Sequence, residues 1–282
     1  MKKKKKKNIT RNPEREKYTK EDESFLYGDD ARGIRLQLDY LKAETKLKAY
    51  GVNHTIVVFG SARVIAFQKA LKKLEKIKKK LHKNPDSKKL LSQLRASERI
   101  VEKSRYYEEA RKFGALVGKS GKGPDDCHVT LMTGGGPGIM EAANRGAFEV
   151  GAKSIGLNIE LPHEQNPNPY ITEELSFHFR YFAIRKLHFM QRAKALVVFP
   201  GGFGTLDELF DLLTLIQTRK NAAIPVVLIC HSFWRRIIDF EYLYEEGVIA
   251  EEDLNLFKFA ETAEEAWEII LKWHKKQEIP LF

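Results

Sequence analysis

Ala195-Leu-Val-Val-Phe199 runs into Pro200-Gly-Gly-Phe-Gly-Thr-Leu-Asp-Glu208, and an amphipathic stretch follows from Leu206 to Lys220. An apolar run of strand length, a glycine turn and a helix make one α/β unit. Such a turn leaves backbone N–H groups unpaired at a helix N-terminus, where they can hold a phosphate. A second junction of the same kind lies upstream. Val129-Thr-Leu-Met132 leads through Thr133-Gly-Gly-Gly-Pro-Gly138 into Ile139-Met-Glu-Ala-Ala-Asn-Arg-Gly-Ala-Phe148. Two glycine-lined strand-to-helix turns point to a nucleotide or another phosphorylated small molecule.

Outward from these junctions the alternation continues. Thr55-Ile-Val-Val-Phe59 reads as a buried strand entering the turn Gly60-Ser-Ala-Arg63, and Lys153–Ile159 and Pro225–Cys230 read as further strands. A short strand is expected at Leu256–Ala260. Helices are expected over Tyr106–Ser120, Phe182–Ala193 and, from the capping box Thr262-Ala-Glu-Glu265, through a last helix pinned by Trp267, Ile270 and Trp273. Strands alternating with helices predict a parallel sheet. The proline-rich stretch Leu161–Tyr170 is long for a connector and reads as a functional loop.

Three attachments surround this core. Residues 1–24 are charged, lack apolar periodicity and are expected to be a disordered lysine-rich tail. Residues 25–51 form a helical extension, with Ile34, Leu38, Leu41, Thr45 and Leu47 or Lys48 as its apolar stripe and Gly51 as its stop. Residues 52–282 make the nucleotide-binding domain, interrupted at 69–104 by a helical hairpin. There Leu71, Leu74, Ile77 and Leu81 recur at helical spacing, Asn84-Pro-Asp-Ser87 turns the chain, and Leu90, Leu94, Ser97 and Val101 resume the pattern. The hairpin reads as a solvated arm packing on the body or on a sister subunit.

The 282 residues carry a formal charge of +11. Six lysines at positions 2–7, and thirteen Lys/Arg against four acids in 69–104, more than account for it. The remaining body is acidic, so nucleic acid is not an expected partner. An RNA-associated arm ranks last among the readings, because the hairpin lacks aromatics for base stacking. Cys127 and Cys230 form no metal pattern or disulfide framework, and each reads as packing beside a strand. No run reaches membrane-spanning length and no secretory segment follows the lysines, so a cytoplasmic protein with no membrane partner is expected.

Familiar nucleotide motifs fail. Gly134-x-Gly136 would need glycine where Ile139 stands. Gly114-Ala-Leu-Val-Gly118-Lys-Ser120 is one residue short of a phosphate-binding P-loop and precedes its strand. No His-Glu-x-x-His and no Gly-x-Ser-x-Gly occurs, and no metal is expected. Glu208 has two readings. Thr205-x-x-Glu208 is a capping box, and a carboxylate on the first helical turn also points to where open α/β sheets bind ligands. The residues alone leave both open, as they do for Glu141. Arg185 and Lys186 read either as solvent-facing charge or as a cationic pair for phosphate or ribose.

With these residues in view, the chain resembles the Lonely Guy family, the cytokinin riboside 5′-monophosphate phosphoribohydrolases. Pro200–Glu208 matches that family's Pro-Gly-Gly-x-Gly-Thr-x-x-Glu, Arg185-Lys186 its Arg-Lys pair, and Gly60–Arg63 and Gly134–Glu141 its other loops. The resemblance implies a Rossmann-like three-layer α/β/α domain, assembled as a homodimer or higher homo-oligomer. It would cleave the N-glycosidic bond of a nucleoside 5′-monophosphate, AMP or a related purine, giving base and ribose 5-phosphate without a cofactor. Carried over, Arg185 and Glu208 are the catalytic pair. Gly201, Gly202, Gly204 and Thr205 wrap the phosphate, and Gly135, Gly136, Glu141, Lys186 and Thr214 are further substrate contacts. A non-catalytic nucleotide-binding or sensing protein on the same fold is the alternative.

Overall fold

The central strands are buried along most of their length, as runs covered on both faces must be. The computed structural model describes residues 19–121, 129–160 and 166–281. In chain order the helices are α1 (Lys20–Tyr27), α2 (Arg32–Ala49), α3 (Phe67–Lys83), α4 (Lys88–Lys103), α5 (Arg105–Ser120), α6 (Ile139–Glu149), α7 (Phe182–Gln191), α8 (Phe203–Gln217), α9 (His231–Ile237), α10 (Phe240–Glu245) and α11 (Ala263–Gln277). The strands are β1 (Thr55–Phe59), β2 (Thr130–Thr133), β3 (Ser154–Ile159), β4 (Ser176–Phe179), β5 (Ala193–Val198), β6 (Val226–Ile229) and β7 (Phe257–Ala260). All seven pair in parallel, in the order β4-β3-β2-β1-β5-β6-β7.

Successive side chains of a strand point to opposite faces. Ile56 and Val58, with Leu131 and Val197, pack with Phe113, Ala143 and Ile270 of α5, α6 and α11. Val57 and Phe59, with Met132 and Leu196, pack with Leu47, Phe189 and Leu212 of α2, α7 and α8. The result is a Rossmann-like α/β/α sandwich of three layers. The strands β1 to β4 grow outward on one side and β5 to β7 on the other, so the winding reverses between β1 and β5. Ligands of open α/β sheets bind at such a reversal, beyond the carboxyl ends of the strands.

The P-loop look-alike proves to be a packing device. A Cβ at Gly114 would sit inside the carbonyl of Ala143, and one at Gly146 inside that of Arg111, so glycine lets α5 and α6 touch backbone to backbone. The strand β4, absent from the sequence reading, lies at the sheet edge with His178 exposed. The helix α1 begins inside the stretch assigned to the lysine tail, whose residues 1–18 lie outside the described residues, as do Cys127 and positions 161–165 of the proline-rich loop. Among the described residues no helix is long and apolar enough to cross a membrane.

The extension helix keeps Leu47 of the expected stripe inward and turns the rest of it out. Ile34, Leu38 and Leu41 are exposed, and α2 turns Asp39, Ala43, Glu44 and Leu47 inward. Ion pairs and caps dock it: Glu44 accepts from Arg192 at 2.9 Å, and Asp39 Oδ2 accepts the N–H groups of Arg180 and Tyr181 at 2.7 and 3.0 Å. These partners satisfy carboxylates that would otherwise be costly to bury. Since Tyr181 caps α7, the N-terminus of α7 is held by α2.

Candidate active site

After Val198 the chain turns through Phe199-Pro200-Gly201-Gly202, and α8 begins at Phe203 with Gly202 as its cap. Thr205 folds its side chain back over Gly201, where a Cβ would collide with it. The first helical bond at this end runs from Leu206 N to Gly202 O at 3.0 Å. The N–H groups of Phe203, Gly204 and Thr205 precede it and stand open to an anion, at the positive end of the helix.

Because α8 starts at Phe203, Glu208 is its sixth residue and does not cap it. Its carboxylate instead receives Arg185 Nη2 on Oε1 at 2.9 Å, with both residues only 8% exposed. Burial pushes the Glu208 carboxyl up to about 7 against the pull of Arg185, with Asp207 adding to the rise. The same burial lowers Arg185, which stays charged because a guanidinium deprotonates only far above neutral. Arg185 lies over the rings of Phe182 and Phe189 at 5.1 and 5.5 Å. Among the described residues its buried Nε has no hydrogen-bond partner.

These groups border a cleft of about 810 Å³, within the ~300–1,000 Å³ usual for small-molecule sites. It opens at the winding reversal. Arg185, Glu208, Gly201, Gly202, Gly204, Thr205 and Gly136 all line it. Gly135 lies just behind, at φ +72, donating its N–H to Thr133 Oγ1.

Three expected contacts do not line the cleft. Glu141 accepts from the Tyr107 hydroxyl at 3.0 Å. Lys186 donates to Asp207 at 2.7 Å. Thr214, eleven positions along α8 from Phe203, returns its hydroxyl to Phe210 O at 2.7 Å on the exposed face. In each case the polar group has a partner on a neighbouring helix or its own, and Lys186 still lies near enough to Glu208 to favour its ionised form.

The sequence reading also missed several groups. Asn158 and Phe182 line the cleft, and Asn168 donates to the carbonyls of Gly135 and Gly136 at 3.1 Å each. Asn168 belongs to the proline-rich stretch, so that stretch does shape the site. The hairpin contributes too: Ala96, Arg99, Ile100 and Lys103 of α4 form part of the cleft wall. Their spacing of three, four and seven was present in the sequence, but on a lysine-rich helix it looks like solvated charge.

The family model described as "Possible lysine decarboxylase" matches residues 140–270. A pyrimidine/purine nucleotide 5′-monophosphate nucleosidase of Escherichia coli strain K12 is 29% identical over 132 residues, 43% of this chain and 27% of that protein. A cytokinin riboside 5′-monophosphate phosphoribohydrolase of Arabidopsis thaliana is 27% identical over 143 residues, 49% of this chain and 65% of that protein. The span that matches is just under half of the chain, and over it the chain is similar to these nucleotide-cleaving enzymes. The chain spans about a quarter of the bacterial relative's length and under two thirds of the plant relative's. Among solved structures, a molybdenum cofactor binding protein of Rippkaea orientalis aligns at TM-score 0.42 and 22% identity, covering 60% of this chain and 87% of that one. The matched span 140–270 holds Arg185, Glu208 and the whole of the open turn, while the hairpin lies outside it.

Proposed function

We propose that the cleft hydrolyses the N-glycosidic bond of a purine or N6-modified purine nucleoside 5′-monophosphate, in the cytoplasm, releasing the base and ribose 5-phosphate. The observation that carries this reading is the buried Arg185–Glu208 pair beside open helix N–H groups. The 5′-phosphate sits on the amides of Phe203, Gly204 and Thr205, and that remote binding holds the sugar over Glu208. As the C1′–N bond breaks, its electron pair leaves with the base and positive charge develops on the ribose, as in glycoside hydrolysis. Ionised Glu208 stabilises that charge and orients a water whose oxygen bonds to C1′. Glu208 accepts the water's proton, and the departing base nitrogen takes up a proton in its place. Arg185 keeps the carboxylate ionised and placed, and its free Nε offers a donor to the sugar or phosphate.

A second copy of the chain is the proposed partner. Phe203, Asp207, Phe210 and Thr214 share one exposed face of α8, with Phe203 91% exposed, and Phe182 and Leu187 of α7 are exposed as well. Apolar side chains so placed beside a cleft are covered most simply by the same surface of a twin.

The test is to incubate purified protein with AMP, GMP, CMP and N6-isopentenyl AMP and to quantify free base and ribose 5-phosphate. Stoichiometric release of both from a purine monophosphate is expected. Tight binding of AMP without product would favour the non-catalytic alternative.

A further inference from the structure

The geometry points to a second phosphate subsite formed by the inserted hairpin, so that the cleft takes nucleoside 5′-polyphosphates, with Arg99 and Lys103 selecting for the longer phosphate chain. The inference rests on the glycosidase reading for the position of the sugar. It was not anticipated by the expectation of a solvated arm.

Three observations carry it. First, Ala96, Arg99, Ile100 and Lys103 face the cleft from one side of α4, so the cations are part of its wall. Second, the order of the strands sets the direction. Arg185 Nη1 lies 3.7 Å from where a Gly134 Cβ would stand, so the catalytic pair is on the β2 side of the phosphate turn. Lys103 Nζ lies 4.9 Å over the ring of Phe233, which follows β6, so the hairpin is on the opposite side. The turn at Gly201–Gly204 follows β5, between β1 and β6. A nucleotide with its sugar at Glu208 and its first phosphate on the turn therefore directs any further phosphates towards α4.

Third, the charge there exceeds what one phosphate needs. Glu208 is the acid of the cleft wall and is matched by Arg185, whereas Arg63, Arg99 and Lys103 remain. Among the described residues Arg99 has only Glu102 as an ion-pair partner, at 3.1 Å, and both are largely exposed, so that pair competes weakly with a ligand. Among the described residues Lys103 has no carboxylate at ion-pair distance. The cationic track also continues outward. A neighbouring cavity shares Arg99, Lys103 and Phe233 with the cleft and adds Arg236 and Arg105, the latter paired with Glu261, with Glu102 as its acid. Phosphate chains are bound in this way, by several cations along a path. The reaction at C1′ is unchanged, and the sugar product keeps its di- or triphosphate.

The experiment compares wild type with Arg99→Gln/Lys103→Gln, and with Lys78→Gln/Lys79→Gln as a control that removes equal charge from the exposed face of α3. Two readouts are used: kcat/KM for base release from AMP, ADP and ATP, and binding of phosphate, pyrophosphate and tripolyphosphate by calorimetry. Melting curves establish that the variants are folded. In wild type, tripolyphosphate should bind at least about tenfold more tightly than phosphate, since each charge-assisted bond contributes ~1.5–3 kcal/mol, and ADP should displace it. Arg99→Gln/Lys103→Gln should lower the ADP-to-AMP ratio of kcat/KM by a similar factor, and the α3 control should not. Hydrolysis of AMP with ADP and ATP refused, or a polyphosphate preference that both double variants lose equally, overturns the subsite. A preference confined to Arg99 and Lys103 without turnover of any nucleotide upholds the subsite and sinks the glycosidase reading.

Discussion

The two glycine-led turns look alike in sequence and do different work in the molecule. After β2, the turn at Thr133–Gly138 is spent on the protein itself. The carbonyls of Gly135 and Gly136 receive Asn168, Thr133 bonds Asn144 at 2.7 Å, and Ile139 N at the start of α6 donates to Ser61 O at 3.1 Å. After β5, the first amides of α8 have no such partners among the described residues, and Phe203 stands in solvent. A glycine turn before a helix is therefore not enough to make a phosphate site. What decides is whether side chains nearby have already taken the polar groups.

The largest effect in this comparison is expected on the open side. Arg185→Ala should lower kcat/KM for AMP by about 10²–10³-fold, the cost of removing a preorganised electrostatic group, measured by base release on protein of unchanged circular dichroism. The turns themselves should then part company under the same substitution. Gly135→Ala must adopt a left-handed backbone, at ~1–3 kcal/mol, and its Cβ would overlap the Asn158 carboxamide. It should melt several degrees lower. Gly204→Ala meets nothing within 4 Å and improves helix propensity by up to ~1 kcal/mol. It should hold or raise Tm while its methyl, standing beside the open amides, raises KM several-fold. Equal Tm losses at the two glycines would erase the distinction. A smaller effect is expected from Asp39→Ala, which uncaps α7 at about 1 kcal/mol. It should reduce kcat, because Arg185 is carried on α7, with little change in KM.

The sheet was legible because its strands are unbroken apolar runs, and burial on both faces demands such runs. β4 was not, since Ser176–Phe179 is a short edge strand whose exposed His178 breaks the run. Reading α2 by hydropathy found Leu47 but put Ile34, Leu38 and Leu41 on the wrong side. The groups that dock it, Asp39 and Glu44, find their partners Arg180 and Arg192 more than 140 residues away, and no local pattern records such a partnership. Glu208 turned on where its helix begins. A start at Leu206 would have made it a cap, whereas the start at Phe203 sends it to Arg185. Glu141, Lys186 and Thr214 were assigned through resemblance, and each has a partner within the protein. Arg99 and Lys103 were hidden because charge on a lysine-rich helix carries no mark of the face it occupies.

The central claim is that Glu208 works as a carboxylate whose proton affinity burial has raised. A folded-state pKa of about 7, above the ~4.3 of a free glutamate, means that the native state binds the extra proton between those values. Stability attached to that proton is present at acid pH and is lost as pH rises through 7. Replacing Glu208 by Gln should accordingly flatten the fall in Tm between pH 5 and 8. The most direct measurement is kcat/KM for AMP against pH, in wild type and Glu208→Gln. Wild type should rise about tenfold from pH 6 to 8, following ionisation near 7, with the variant flat and about 10²–10⁴-fold slower. A Glu208→Gln enzyme that keeps the wild-type rate and the same pH profile would contradict the account.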